Sequence, residues 1–244
     1  EGNDLPDFNP DDEYLQEIKS PIFYAVQKNI NIQTGQLTIL DFDMQRISQR
    51  INIVFNIRTE GNIKREDLSA PIIELSGACG RFNIADACLD TTRLYRMAHQ
   101  VQPDEFTQTG EGTYRCVVHF HTLGVIPSAA KGHLNGPGIL QVALQVSTPQ
   151  LDSSGAPVLD EEGNPVKNSR YIYGAINPYD ELTAAQLIEV RDGKIYLRYS
   201  KEDVNIEITT PLVIKADQIV PNDTGMGWQP HDPTNPDDDI IIEI

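Results

Sequence analysis

The segment Ile51-Asn-Ile-Val-Phe-Asn-Ile57 carries an apolar side chain at every second position. A period of two is typical of a β-strand, in which successive side chains point to opposite faces. The same alternation occurs in Leu140–Val146 and in Val204–Ile208. We therefore expect half-buried strands in these three segments. The residues predicted to fill the core are Ile51, Ile53, Phe55, Ile57, Leu140, Val142, Leu144, Val146, Val204, Ile206 and Ile208.

Other parts of the chain also favour strands. Tyr114–Leu123, Pro71–Ala78 and Ile195–Tyr199 are apolar runs of ordinary strand length. The pairs Ile30/Ile32 and Leu37/Ile39 alternate with polar residues and predict two more half-buried strands. Gly and Pro between these segments supply turns.

Only one segment predicts a helix, Asp180–Glu189, with Asp180 as its N-cap. Strands that do not alternate with helices favour an antiparallel arrangement of sheets. The sequence thus predicts an all-β protein, an antiparallel β-sandwich with one short helix.

The composition excludes some classes of partner. Lys and Arg number 19 against 36 Asp and Glu, which gives a net charge of −17. Binding to nucleic acid relies on neutralising phosphates with basic residues, so this charge has the wrong sign for it. We expect no nucleic-acid partner.

Composition also divides the chain. Residues 1–20 are acidic and interrupted by proline, as in a leader or tether, and residues 21–220 are predicted to form the sandwich domain. Within it, residues 148–169 are rich in turn formers and acids and predict a long solvated insertion or hairpin. Residues 221–244 are predicted to be a Pro-rich spacer, which contains Trp228, followed by a strand.

The final strand is the strongest functional signal. Ile240, Ile241, Ile242 and Ile244 lie within five residues, and an unpaired apolar strand is an aggregation hazard in water. We expect it to pair, either by closing its own sandwich or by donation to a partner.

Motifs for catalysis or cofactors are missing from the sequence. It contains no H-E-x-x-H motif, no G-x-S-x-G motif and no Walker loop. His119 and His121 share one face of a predicted strand and, with His133, have the residue type of a metal site, but that spacing alone is common on exposed strands. We expect no enzyme activity, no cofactor and no metal.

Two further residue sets have alternative interpretations. Cys79, Cys88 and Cys116 are interpreted as small core residues, with a Cys79–Cys88 disulfide as the alternative. Five tyrosines could line a sugar-binding surface, although strand tyrosines more often border a core. They are Tyr171, Tyr173, Tyr179, Tyr196 and Tyr199.

Several short motifs together resemble one family. They are Ile51–Arg58, Ile72–Gly77, Phe120–Gly124, Gly227-Trp228 and Asp238–Ile244. They are similar to segments in the C-terminal part of Bacteroidales fimbrillin-type lipoproteins, the subunits and anchors of type V pili. The resemblance runs from about Pro21 to Ile244.

The resemblance implies a transthyretin-like sandwich, export, and a place at the cell surface, in the outer membrane or in a fimbrium. It also implies a lipid anchor outside this chain, assembly with other fimbrial subunits by strand exchange, and a host or bacterial surface ligand. Family members usually have a whole sandwich before the segment that matches Pro21–Tyr24. Either such a domain lies outside this sequence, or the chain is a shortened relative. The alternative function is that of a glycan-binding surface lipoprotein.

Overall fold

The structure is a computed structural model that describes residues 14–61, 63–134, 136–198, 203–216 and 218–231. Strands dominate these residues and form a two-stranded, a seven-stranded and a five-stranded sheet. The strands are β1 (Phe23–Tyr24), β2 (Gln45–Arg46), β3 (Gln49–Glu60), β4 (Ile72–Asn83), β5 (Cys88–Gln100), β6 (Phe106–Gly110), β7 (Thr113–Thr122), β8 (Leu140–Pro149), β9 (Lys167–Ile176), β10 (Ile188–Arg191), β11 (Lys194–Leu197), β12 (Val204–Lys215), β13 (Gln218–Ile219) and β14 (Gln229–Pro230). The predicted all-β sandwich with one short helix is confirmed.

The smaller sheet of the sandwich has the order β13-β12-β3-β7-β6. Its central strand, β3, contains the alternating segment Ile51–Ile57 and pairs antiparallel with β7. On its other side β3 pairs with β12 in parallel, with Val204 opposite Ile51. This parallel pair departs from the purely antiparallel arrangement that the sequence predicts.

The larger sheet has the order β10-β11-β5-β4-β8-β9-β14. Every neighbouring pair in it is antiparallel. Strand β4 contains a bulge at Gly77, where its register against β5 shifts between Leu75 and Ala78. Strand β9 lies near one edge and pairs with β8 along its full length.

The core lies between these two sheets. Alternate residues of β3, β8 and β12 point into it, as the period of two predicts. The predicted core residues are buried apart from Val204, which is partly buried and packs against the core. Strands β5, β6 and β9 were not predicted, because their apolar residues alternate poorly with polar ones.

The predicted helix is shorter than expected. Helix α1 covers Tyr179–Ala184, and its N-cap is Pro178 rather than Asp180. Gln186 has a left-handed backbone with a φ of 50°, which ends the helical geometry. The following residues form the β10–β11 hairpin, whose two-residue turn, Asp192-Gly193, has positive φ at both positions. Asp-Gly favours this turn, so the hairpin replaces the second half of the predicted helix.

The predicted early strands at Ile30/Ile32 and Leu37/Ile39 are wrong. Residues 25–44 belong to no strand in the structure, and these four side chains are exposed. These apolar residues do alternate with polar ones, but no described part of the protein covers the apolar side chains.

The acidic insertion is a hairpin extension between β8 and β9. Its two tight turns are each organised by an aspartate. Hydrogen bonds from Ser154 and the backbone of residues 154–156 hold the pKa of Asp152 below its usual value. Backbone and side-chain hydrogen bonds centred on Asn164 do the same at Asp160. These carboxylates therefore serve as turn acceptors.

The three cysteines are free and buried. Burial, with a smaller contribution from Asp90, raises the pKa of the Cys79 thiol to about 12. Burial, with a contribution from Glu105, raises that of Cys116 to about 12. The interpretation as core residues fits this structure, and the alternative Cys79–Cys88 disulfide is not formed in it.

Candidate assembly site

One edge of the larger sheet is incompletely paired. Strand β14 pairs with β9 only at Ala175 and Gly174, and the backbone N–H of His231 donates to the Tyr173 carbonyl at 3.0 Å. The remaining residues of β9, Lys167–Ile172, have no strand on their outer side among the residues that the structure describes. We call this stretch the β9 edge. It can add a further strand through main-chain hydrogen bonds.

Most side chains of the β9 edge are exposed. Residues 167–171 are exposed, and Ile172 points into the core. Lys167 is fixed at the start of the strand, where its Nζ donates to the buried carboxylate of Asp67 at 3.1 Å. Ser169 bonds across the strand pair to Ser147 at 2.7 Å. The edge is thus held in strand geometry by β8 and by the Asp67 contact.

The segment before residue 232 is anchored beside this edge. Trp228 is only 1% exposed, its ring centroid lies 5.2 Å from that of Phe55, and its Nε1 donates to the Thr210 carbonyl at 3.0 Å. The Gln229 side chain donates to the Asn222 carbonyl. Two sheets and one loop therefore fix the position at which the chain reaches the β9 edge.

This anchoring corrects one prediction. Residues 221–238 were expected to form a spacer without regular structure, yet Trp228 is a core residue and Gln229–Pro230 is a strand. Local richness in Pro and Gly predicted a spacer, whereas burial of a large aromatic ring depends on contacts distant in sequence.

The register of β14 bears on the predicted terminal strand. Gln229 lies opposite Ala175 and Pro230 opposite Gly174, so the chain runs antiparallel to β9. If this register continued, residues 232–237 would lie opposite the β9 edge, and the edge would be fully paired before the chain reached Ile240. Ile240, Ile241, Ile242 and Ile244 lie outside the described residues.

The three histidines considered as metal ligands, His119, His121 and His133, take different partners. The Nδ1 atom of His119 lies 2.7 Å from Oδ1 of Asn52, whereas Nε2 of His121 lies 3.0 Å from Oγ of Ser48. The His133 carbonyl accepts from the Asn177 side chain in a separate loop. Within the described ranges no group of three His, Cys, Asp or Glu is arranged to hold a metal ion.

Glu105, in the β5–β6 connection, lies between the imidazoles of His99 on β5 and His119 on β7. Its Oε2 is 2.8 Å from His99 Nε2, and its Oε1 is 3.8 Å from His119 Nε2. Burial raises the pKa of Glu105, but hydrogen bonds from the Gln102 backbone and from His99 outweigh it, so the pKa is below its ordinary value. The arrangement stabilises a carboxylate.

The tyrosines do not form one surface. Tyr171 and Tyr173 stack on the outer face of β9 with ring centroids 6.4 Å apart. Tyr196 lies on β11, towards the opposite edge of the same sheet, under the Arg191 guanidinium at 4.5 Å. Tyr179 is in α1, and Tyr199 lies outside the described residues.

Comparisons with protein-family models, with curated proteins and with solved structures find no match to this chain. Among the described residues, no helix has the length and apolar character needed to span a membrane.

Proposed function

We propose that this chain is a structural or adhesive protein of the cell surface, a fimbrial subunit or an outer-membrane fimbrial anchor, that assembles by β-strand exchange. The observation that carries the proposal is the β9 edge, which no strand of the described residues covers, beside the point where the chain continues towards Ile240. Partners are other fimbrial subunits, and a lipid anchor outside this chain would supply attachment to the outer membrane.

The register supports donation of the terminal strand rather than closure of its own sheet. A strand that closes the β9 edge in the β14 register would use residues 232–237, which include Pro233 and Pro236. Proline has no N–H and cannot donate to a ladder. The isoleucines come after this stretch, and an extended chain of that length can reach another subunit.

Deletion of residues 239–244 tests the proposal. We expect the deletion variant to melt like the parent chain and to lose incorporation into fimbriae or assemblies. A protein with Ile240, Ile242 and Ile244 all changed to Ser should behave in the same way, because those side chains share one face of an extended strand. Glu243 lies on the other face of such a strand, so the Glu243→Gln variant should assemble normally.

Two outcomes contradict the proposal. Loss of folding on deletion identifies a strand that closes its own sandwich. Normal folding together with normal assembly shows that strand exchange does not use this segment.

The stacked Tyr171 and Tyr173 favour a second candidate function, that of a glycan-binding surface lipoprotein. Aromatic rings exposed side by side can pack against sugar rings. A glycan array with the wild type and with Tyr171→Ala distinguishes the two functions, because binding that the substitution abolishes requires a sugar site.

A further inference from the structure

Residues 22–47 form a hairpin arm that projects from the start of β3. At its base Phe23 pairs with Arg46, and the N–H of Ile47 donates to the Ile22 carbonyl at 2.8 Å. At its tip the Gln36 N–H donates to the Gln33 carbonyl at 3.3 Å. Base and tip have the same register across the turn at Thr34-Gly35, and Asn29 between them has a left-handed φ of 59°, which interrupts the extended geometry there.

The arm carries a large share of the exposed apolar side chains. Ten of the sixteen exposed large hydrophobic residues of the described chain belong to it, with exposures of 38% to 87%. They are Ile22, Phe23, Val26, Ile30, Ile32, Leu37, Ile39, Leu40, Phe42 and Met44. Soluble monomers rarely expose apolar residues in such a concentration, which marks an interaction surface.

The main chain of the arm is also unpartnered. In the described structure residues 25–44 belong to no strand pair. Only the turn bond at the tip and the pairs at the base hold the register. A partner that covers the apolar side chains and forms hydrogen bonds with the backbone groups can therefore order the arm further.

The register also assigns the side chains of residues 30–39, the distal arm, to two faces. Continued from the tip over residues 30–39, it would set Ile30 opposite Ile39 and Ile32 opposite Leu37, on one face of an extended hairpin. The other face carries Asn31 opposite Thr38. The distal arm therefore has one aliphatic face and one polar face.

Charge favours a second copy as the occupant of the aliphatic face. Residues 29–40 contain no charged side chain, although the whole chain has a net charge of −17. The charged residues that flank this segment, Lys28 and Asp41, have opposite signs, so two arms do not repel each other there. A membrane is a poorer match, because the tip lacks Trp, Lys and Arg to contact lipid headgroups and the chain is strongly acidic.

We propose that the arms of two copies pack together through the face formed by Ile30, Ile32, Leu37 and Ile39. A standard interface buries about 800 Å² on each partner. The four side chains of this face form the centre of such a contact, and six more exposed apolar side chains belong to the same arm. The contact is isologous, so it closes as a dimer. It does not involve residues 239–244 and is independent of the strand exchange proposed above.

Matched double variants of the full chain test this contact. Ile32→Asp with Leu37→Asp puts two charges on the aliphatic face, and Asn31→Asp with Thr38→Asp puts the same charges on the adjacent pair of the polar face. Light scattering coupled to gel filtration should give twice the chain mass of 27.2 kDa for the wild type and for the polar-face variant. The aliphatic-face variant should give the mass of one chain, with an unchanged melting temperature.

Four results overturn the proposal. They are a monomeric wild type at every concentration, a dimeric aliphatic-face variant, equal loss of the dimer in both variants, and loss of the dimer when residues 239–244 are deleted. The last result would assign the contact to the terminal strand. A monomeric wild type that co-sediments with phosphatidylethanolamine–phosphatidylglycerol vesicles, and whose aliphatic-face variant does not, would assign the arm to a membrane surface.

Discussion

Leu144 and Gln145 are neighbours in β8 with opposite surroundings. Leu144 is fully buried in the core, whereas Gln145 is partly exposed on the outer face. We expect Leu144→Ala to lower the free energy of unfolding by about 2 to 5 kcal/mol and Gln145→Ala by about 0.5 kcal/mol or less. Denaturant titration measures both values. Equal losses would contradict the assignment of faces.

His121 should make the protein less stable in mild acid. Burial lowers its pKa from 6.5, outweighing the opposing effect of the backbone near Ile18. The unfolded chain therefore takes up the proton first as the pH falls below about 6.5, and stability declines until the pH passes the lower pKa of the folded state. One proton limits the slope to about 1.4 kcal/mol per pH unit.

Melting curves of wild type and His121→Gln between about pH 7.5 and 5.5 measure this effect. The substitution should reduce the pH dependence, because the glutamine side chain does not titrate. Glu105 does not interfere, because its lowered pKa makes stability fall only in stronger acid. Parallel curves for the two proteins would show that His121 does not titrate differently in the folded state.

At the scale of elements, the bulge of β4 depends on Gly77. Its φ is +85°, and a Cβ atom there would lie 2.6 Å from the Ile126 carbonyl oxygen and 2.7 Å from the Gly138 nitrogen. Gly155, in the acidic hairpin, has a similar φ of +83° but nothing within 4 Å of such an atom. Substitutions at Gly77 and Gly155 therefore distinguish the free-energy cost of backbone strain from the cost of close contact.

We expect Gly155→Ala to cost about 1 kcal/mol, from backbone strain alone. Gly77→Ala should cost about 2 to 4 kcal/mol, because backbone atoms must also move. Thermal melts of the two variants measure the difference. Equal melting temperatures would mean that the backbone around Gly77 moves to admit the new Cβ atom without a cost in free energy.

Sequence patterns predicted those elements in which apolar and polar residues alternate regularly. Strand β3 alternates because one face meets the core and the other is partly exposed, and the even-numbered residues of β8 face the core in the same way although its first five residues are all buried. Helix α1 was predicted too long, since helix propensity at Ile188 and Glu189 competes with a hairpin that forms only once β11 is in place.

The candidate site was only partly predictable. The isoleucines of residues 240–244 stand out in the sequence, but the β9 edge depends on which strand lies outermost, and that follows from the pairing of distant segments. The exposure of Ile32 and Leu37 was unpredictable for the same reason, because alternation gives a face and does not reveal what covers it.

For the whole molecule, the single tryptophan should report global unfolding. Trp228 packs against Phe55 of the smaller sheet, while the next residue, Gln229, pairs with the larger sheet. We expect its fluorescence to shift to the red in the same denaturant range in which circular dichroism loses the strand signal. An earlier fluorescence change would show that residues 218–231 detach as a separate unit.

The parallel pair of β3 and β12 also determines when the protein can fold. Val204 lies opposite Ile51, so one side of the central strand stays incomplete until the ribosome has made most of the chain. Contacts between such distant segments are slow to form, because a long loop must close first. The nascent chain would therefore present one unpaired edge of β3, its most regular strand, to other chains throughout this interval.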